Sequence, residues 1–130
     1  MFDWKKPTVQ MLGRWQPWHD GHTELFKRAL KKTGQVCIMY RDVEGVDAGV
    51  EGQADNPFGF EEVKKNIIVE LSKHNFEEGE DYVVIKVPNI IDISYGRGVG
   101  YSFTEHDLGK EIHAISATNI RKEMRLKKEL

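Results

Sequence analysis

Residues 13–22, GRWQPWHDGH, lie between two segments whose apolar residues follow different periods. An apolar run of strand length, residues 8–12, comes just before them. After them, apolar residues recur at three- and four-residue spacing over residues 20–30, and Gly34 follows where a helix would end. The pattern predicts a buried strand, a Gly-bounded loop and an amphipathic helix.

The same alternation of short apolar runs and helical periods continues along the chain. We expect a second helix near residues 60–71, and further strands at residues 35–40, 82–87, 90–93 and 112–115, before a C-terminal helix. Strands that alternate with helices favour right-handed crossovers and a parallel sheet. The predicted fold is therefore α/β, a Rossmann-like three-layer α/β/α arrangement with about five parallel strands in one domain, residues 1–130.

Composition narrows the classes of function. The chain has 130 residues, 39% of them hydrophobic, which suffices for one domain with a core of its own. Its formal net charge of −2 gives no overall field for a polyanion, so we expect neither nucleic acid nor an anionic membrane as partner. A single cysteine, Cys37, and the lack of a long apolar run predict a protein of the cytoplasm without targeting or spanning segments.

Ligands of parallel sheets bind at the carboxyl ends of the strands, which draws attention to the loop after the first strand. Gly13 and Gly21 permit close approach of backbone, and His19 and His22 fall at the start of the helix. There the helix dipole disfavours imidazolium, while free N–H groups attract an anion such as phosphate. Two other interpretations stay open: His22 as a core histidine with Trp15 and Trp18 as packing residues, and a zinc site.

The zinc alternative is the weaker of these. The two histidines are three residues apart, and no acidic residue or cysteine completes a ligand set of the usual spacing.

A second candidate segment opens the predicted C-terminal helix. Ser116 or Thr118 can cap that helix, which is a common structural role. Arg121 would lie in its first turn, where a cation opposes the macrodipole unless an anion binds there.

Together the two segments resemble the signature pair of a nucleotidyltransferase superfamily. This superfamily includes glycerol-phosphate cytidylyltransferases, pantetheine-phosphate adenylyltransferases and NMN adenylyltransferases. His19-Asp20-Gly21-His22 matches its His-x-Gly-His motif, and residues 116–121, SATNIR, match its Ser-Ser-Thr-x-Ile-Arg motif except at Ala117. The motifs stand about 90 residues apart, in the order and on the elements where that fold carries them.

The resemblance leaves the nucleotide open between CTP and ATP. Residues 109–114, GKEIHA, lack the Arg-Thr-Glu-Gly run usual in cytidylyltransferases. The run from Gly13 to His19 and the later Asn56-Pro57-Phe58 look more like archaeal NMN adenylyltransferases. The length of the chain, however, is typical of the small cytidylyltransferases.

By resemblance, the protein transfers a nucleotidyl group to a small phosphorylated acceptor and releases pyrophosphate. His19, His22 and Arg121 are then the expected catalytic residues, and Arg41 and Arg97 would contact the acceptor. Mg²⁺ is expected on the triphosphate rather than on protein ligands. A module that binds nucleotide without catalysis is the competing class, and the oligomeric state is left open, with a homodimer as one option. The expected nucleotide-binding residues are Gly13, Arg14, Trp15, Gly21, Ser116, Thr118 and Arg121.

Residues 42–56 form an acidic, glycine-containing stretch after the second strand. The stretch has few apolar groups to bury, so burial offsets little of the entropy cost of ordering it. We therefore expect a loop that is mobile without ligand. Its place at the carboxyl edge predicts a lid over the site, and a tolerated surface insertion is the alternative.

Overall fold

The computed structural model describes residues 1–43, 56–98 and 100–109, together with Ile120 and Met124. Within these residues the protein is a small α/β domain with a three-stranded parallel sheet in the order β1-β2-β3. The strands are β1 (Val9–Gly13), β2 (Val36–Arg41) and β3 (Tyr82–Val87), and the helices are α1 (Asp20–Thr33) and α2 (Phe60–Ser72). All five elements agree with the predicted positions to within a residue or two.

The strand register brings three loops to one edge of the sheet. Gly13 pairs with Tyr40 and Arg41 pairs with Val87, so β1, β2 and β3 end side by side. The residues that follow these ends therefore surround one region, where ligands of parallel sheets bind.

The core lies between one face of the sheet and both helices. The side chains of Tyr40 and Tyr82, on this face, are fully buried. Phe26 of α1 packs edge-on against Tyr82 with 5.6 Å between ring centroids, and Phe60 of α2 packs against Tyr40 at 5.5 Å. Two successive crossovers of the same hand, advancing in one direction across a sheet, place their helices on the same face.

The described residues thus form two layers, whereas three layers were predicted. The sequence assigned a further helix to the C-terminal segment. There Ile120 and Met124 are helical, and the predicted strand 112–115 and the rest of the final helix lie outside the described residues.

The predicted fourth strand, residues 90–93, is wrong: this segment belongs to no strand and leaves Ile91 87% exposed. Only Pro88 and Asn89 separate it from the end of β3, and a parallel neighbour needs a crossover of about a dozen residues. The N–H of Ile90 instead donates to the carbonyl of Pro88 at 2.7 Å, which closes a tight turn directly after β3.

The acidic stretch after β2 is described only at its two ends. Val43 is buried, and so is Asn56, at the end of the stretch that the sequence predicted to be a mobile loop. Residues 44–55 lie outside the described residues, so the lid stays a prediction. No helix in the described part of the chain combines the length and apolar character needed to cross a membrane.

Candidate functional site

The loop after β1 is shaped by close packing of Trp15 on Gly13. A Cβ atom at Gly13 would lie 2.8 Å from Cζ2 of Trp15, so a larger residue would collide with the indole ring. Trp15 itself has a φ of 54°, and its indole N–H donates to the carbonyl of Met39 at 3.1 Å. The ring thereby joins the ends of β1 and β2, and Trp15 is 6% exposed. Core packing, the alternative considered for this residue, is what the structure shows.

His19 and His22 form a capping box at the start of α1. The backbone N–H of Gly21 donates to Nδ1 of His19 at 3.0 Å, and that of His19 donates to Nδ1 of His22 at 3.1 Å. A capping box usually pairs Ser or Thr with Glu or Gln, so two histidines fill an ordinary structural role with unusual side chains. The two rings stack with centroids 3.7 Å apart and planes 19° apart.

These hydrogen bonds determine the tautomer of both imidazoles. A backbone N–H can only donate, so each Nδ1 is an acceptor and carries no proton. In a neutral ring the proton is then on Nε2, which makes Nε2 a donor. Neither Nε2 has a hydrogen-bond partner among the residues that the structure describes, so the stacked pair presents two N–H donors.

The surroundings keep the pair neutral. Burial, and to a smaller extent the neighbouring His19, lower the pKa of His22 to about 3. Burial also lowers the pKa of His19, partly offset by the carboxylate of Asp20. The sequence predicted that imidazolium is disfavoured, on the basis of the helix dipole; the dominant cause in the structure is desolvation.

Two tryptophans hold the His22 ring in place. Trp15 meets it edge-on with centroids 4.8 Å apart, and Trp18 lies at 5.4 Å. Trp18 is fixed in turn by its indole N–H, which donates to the hydroxyl of Thr23 at 2.8 Å. Sequence reasoning treated packing and ligand binding as alternatives for this cluster, whereas the structure packs His22 and still leaves its Nε2 without a partner in the described residues.

Two arginines follow the paired strand ends, and both have neutral partners. Nη1 of Arg14 donates to Oδ1 of Asn56 at 3.1 Å, and Nη1 of Arg41 donates to the carbonyl of Ile90 at 3.4 Å. Nε of Arg41 is buried and has no hydrogen-bond partner among the described residues. Within the same residues, no carboxylate lies within 4.0 Å of either guanidinium.

Asn56 and Gln16 are site residues that the sequence did not single out as such. Gln16, 2% exposed, donates from Nε2 to the carbonyl of Phe58 at 2.8 Å and accepts from the N–H of Phe58 at 2.9 Å. The same Nε2 lies 3.2 Å from the carbonyl of Arg14. The resemblance of the run from Gly13 to His19 and of Asn56-Pro57-Phe58 to one branch of the superfamily was the signal that could have drawn attention to this contact.

The other predicted residues are placed as follows. Gly21 is buried in the first turn of α1, beside the histidines. Arg97 is exposed and borders a cavity of about 1500 Å³ along β1, whose lining includes Trp15 but neither His19 nor His22, so the structure does not bring Arg97 to the histidine pair. Ser116, Thr118 and Arg121 lie outside the described residues.

Nitrogen donors dominate the site. Within the described ranges, no three His, Cys, Asp or Glu side chains come together as a metal-binding group. Imidazole and guanidinium groups are not the oxygen ligands that Mg²⁺ prefers.

Comparison with known proteins gives one informative relative. Nicotinamide-nucleotide adenylyltransferase of Methanococcus aeolicus is 32% identical to this chain over 81 residues, which are 62% of this chain and 41% of the relative. The chain therefore spans less than half the length of that protein. No protein-family model matches the chain, and no solved structure matches it significantly. The partial similarity supports the nucleotidyltransferase superfamily.

Proposed function

We propose that this protein is a nucleotidyltransferase that moves a nucleotidyl group from a nucleoside triphosphate to a small phosphorylated acceptor and releases pyrophosphate. The observation that carries the proposal is the stacked pair His19 and His22, neutral and with both Nε2–H donors unpartnered in the described residues, at a helix N-terminus. Arg14 and Arg41 add positive charge at the same edge of the sheet. Such a set of donors suits a phosphate group.

The transfer reaction requires the protein to bind and orient both substrates and to stabilise the charge that develops on the phosphoryl group. An ionised phosphate oxygen of the acceptor attacks the α-phosphorus, the new P–O bond forms, and the bond to pyrophosphate breaks. The nucleophile is already deprotonated near pH 7, so no strong base is needed. His19 and His22 donate to the α-phosphoryl oxygens, where charge changes during transfer, and their fixed tautomers preorganise both donors.

We assign roles to the remaining predicted site residues from their positions in the chain and in the fold. Gly13 lets the loop approach the triphosphate closely, and Trp15 acts by holding His22 rather than by offering its own buried ring. Ser116, Thr118 and Arg121 hold the β- and γ-phosphates, as the resemblance implies. Arg41 contacts the acceptor, and Arg97 reaches it only if its loop moves towards the histidines.

The described side chains of the site would not ligate Mg²⁺ well, so phosphate oxygens and water would hold it on the triphosphate. Bound there, Mg²⁺ would neutralise charge on the leaving pyrophosphate.

ATP is the first nucleotide to test, because the relative is named for an adenylyl transfer to nicotinamide nucleotide. CTP is the alternative that the motif resemblance leaves open. NMN and glycerol 3-phosphate are the matching test acceptors. The cytoplasm, suggested by the single Cys37, would supply all of them.

The decisive measurement is pyrophosphate release with each pair of triphosphate and acceptor, with Mg²⁺ present. Release that depends on both substrates supports the proposal. Tight triphosphate binding with no release for any acceptor would instead identify a module that binds nucleotide without catalysis.

A further inference from the structure

Asn56 lies far from both signature motifs, yet it is buried against the candidate site. The side chain is 3% exposed, and its Oδ1 accepts from Nη1 of Arg14 across 42 positions of sequence. A buried amide is costly unless it is hydrogen-bonded, and the contact with Arg14 satisfies its side-chain oxygen.

Gln16 fixes the segment that carries Asn56. Its carboxamide makes both a donor and an acceptor bond with the backbone of Phe58, and it also reaches the carbonyl of Arg14. The Gln16 carboxamide thus pairs with the backbone of Phe58 as a backbone amide of a neighbouring strand would. It ties residues 56–58 to the loop after β1, so Arg14 and Asn56 are held in a common frame.

We propose that Asn56 is a positioning residue that aims the guanidinium of Arg14 at the phosphates of the substrate, and that Gln16 holds Asn56 in register for that task. This inference rests on the proposed binding of a triphosphate at this site. The amide oxygen uses one of the five N–H donors of Arg14 and leaves the others for an anion.

The neutrality of the partner is the central feature. A carboxylate in the place of Asn56 would hold Arg14 as well but would compete with the phosphate for its charge. Elsewhere in the described part of the chain, Arg28 shows the ordinary arrangement, with its Nε 3.8 Å from Oε1 of Glu24. An arginine held by an amide is ordered before the ligand arrives, and no carboxylate of the described residues compensates the charge of Arg14, which favours binding.

The test is a double-mutant cycle on binding. Dissociation constants for Mg²⁺-ATP, Mg²⁺-CTP and inorganic tripolyphosphate are measured by calorimetry for the wild type, Arg14→Ala, Asn56→Ala and the double variant. We expect Asn56→Ala to weaken binding about tenfold when Arg14 is present and less than twofold when it is absent. Equal effects in the two backgrounds would overturn the inference, because a purely structural residue does not act through Arg14.

A conservative variant keeps the inference testable if Asn56→Ala does not fold. Asn56→Asp retains the acceptor oxygen and adds a charge, so we expect intact folding but binding weakened at least tenfold at low salt. Binding equal to that of the wild type would contradict the role of neutrality and overturn the inference.

Two control variants complete the experiment, and its readout separates failure of this inference from failure of the proposed function. Asn89→Ala, at an exposed asparagine, and Arg28→Ala, at an arginine already paired with Glu24, should leave binding within twofold. The cycle reads binding alone, so it can succeed even if no pyrophosphate is released, in which case only the catalytic part of the proposed function fails. A wild type that binds none of the three probes would overturn both.

Discussion

His22 shows how one side chain can stabilise the fold and still leave a hydrogen-bond donor for the proposed ligand. Its Nδ1 completes the capping box of α1, and its flanks contact two tryptophan rings. All of these contacts leave Nε2 without a partner in the described residues, and burial keeps the ring neutral. Removing the ring therefore affects helix capping and phosphate binding by separable amounts.

We predict that His22→Ala lowers the rate of nucleotidyl transfer by at least about 100-fold, about 2.7 kcal/mol, while the protein stays folded. Steady-state pyrophosphate release and circular dichroism of the same sample check this. His74→Ala, at an exposed histidine after α2, is the matched control and should retain full turnover. A folded His22→Ala protein with normal turnover would contradict the assigned role.

Gly13 permits the contact between the sheet and Trp15. We predict that Gly13→Ala destabilises the protein by about 1–3 kcal/mol, because its Cβ would lie 2.8 Å from an indole ring that is itself fixed by Met39. Denaturant unfolding measures the loss. Gly96→Ala, where no atom lies within 4 Å of the new Cβ, should change stability by less than about 0.5 kcal/mol. Equal stability of the two variants would show that the indole moves aside freely.

Arg121 carries a prediction from sequence alone. Arg121→Ala should weaken triphosphate binding without lowering the stability of the ligand-free protein, since a cation in the first turn of a helix is unfavourable until an anion arrives. The melting temperature without ligand and the dissociation constant for Mg²⁺-ATP are measured on one preparation. A lower melting temperature with unchanged affinity would make Arg121 a structural residue.

The capping box of α1 gives the element a pH dependence of its own. The folded pKa of His22, about 3, lies below the ordinary value near 6.5, so the unfolded chain takes up a proton at a pH where the folded one does not. This contribution to stability is complete above pH 6.5 and is lost as the pH falls towards 3. Between pH 7 and pH 5 we predict a loss of about 2 kcal/mol in the free energy of unfolding from His22.

His22→Gln isolates that effect. Glutamine is a usual partner in a capping box, because its side-chain oxygen can accept the N–H of His19, but it does not titrate. Its stability should therefore vary less between pH 7 and pH 5 than that of the wild type. Denaturant midpoints across this range provide the comparison, and parallel pH curves would show that His22 is not responsible.

The hydrophobic period predicted all five elements because each strand or helix buries one face, and the residues of that face recur at a fixed spacing in the sequence. These elements are β1, β2, β3, α1 and α2. Gly34 ends α1 as expected, with a φ of 87° and its N–H on the carbonyl of Leu30. The prediction of a strand at residues 90–93 was wrong because the hydrophobic period says nothing about the length of the connection. The connection after β3 is too short for a crossover to a parallel neighbour. Whether a segment forms a strand or a helix could thus be predicted from its own residues. Whether a strand joins the sheet depended on the length of the connection before it.

The arrangement of the site depends on the whole molecule, and the sequence predicted it only in part. The position of His19 and His22 at a helix start followed from residues within one turn. The pairing of Arg14 with Asn56 did not, because it joins residues that are 42 positions apart in the chain. Neither could the tautomers be predicted, since they depend on the backbone geometry of the cap.

Ligand binding should be visible in the stability of the whole domain. A ligand that binds only the folded state adds RT ln(1 + [L]/Kd), about 2.7 kcal/mol at a hundredfold excess over Kd. For a domain of this size that raises the melting temperature by about 10 °C. We predict such a shift with Mg²⁺-ATP, smaller shifts with CTP, GTP and UTP, and a reduced ATP shift in Arg14→Ala but not in Arg28→Ala. A larger shift with CTP would correct the choice of nucleotide, because the histidine pair would contact the same phosphate groups in either triphosphate. No shift with any of the four would contradict triphosphate binding itself, since phosphate donors that are already ordered cannot bind a ligand without stabilising the fold that orders them.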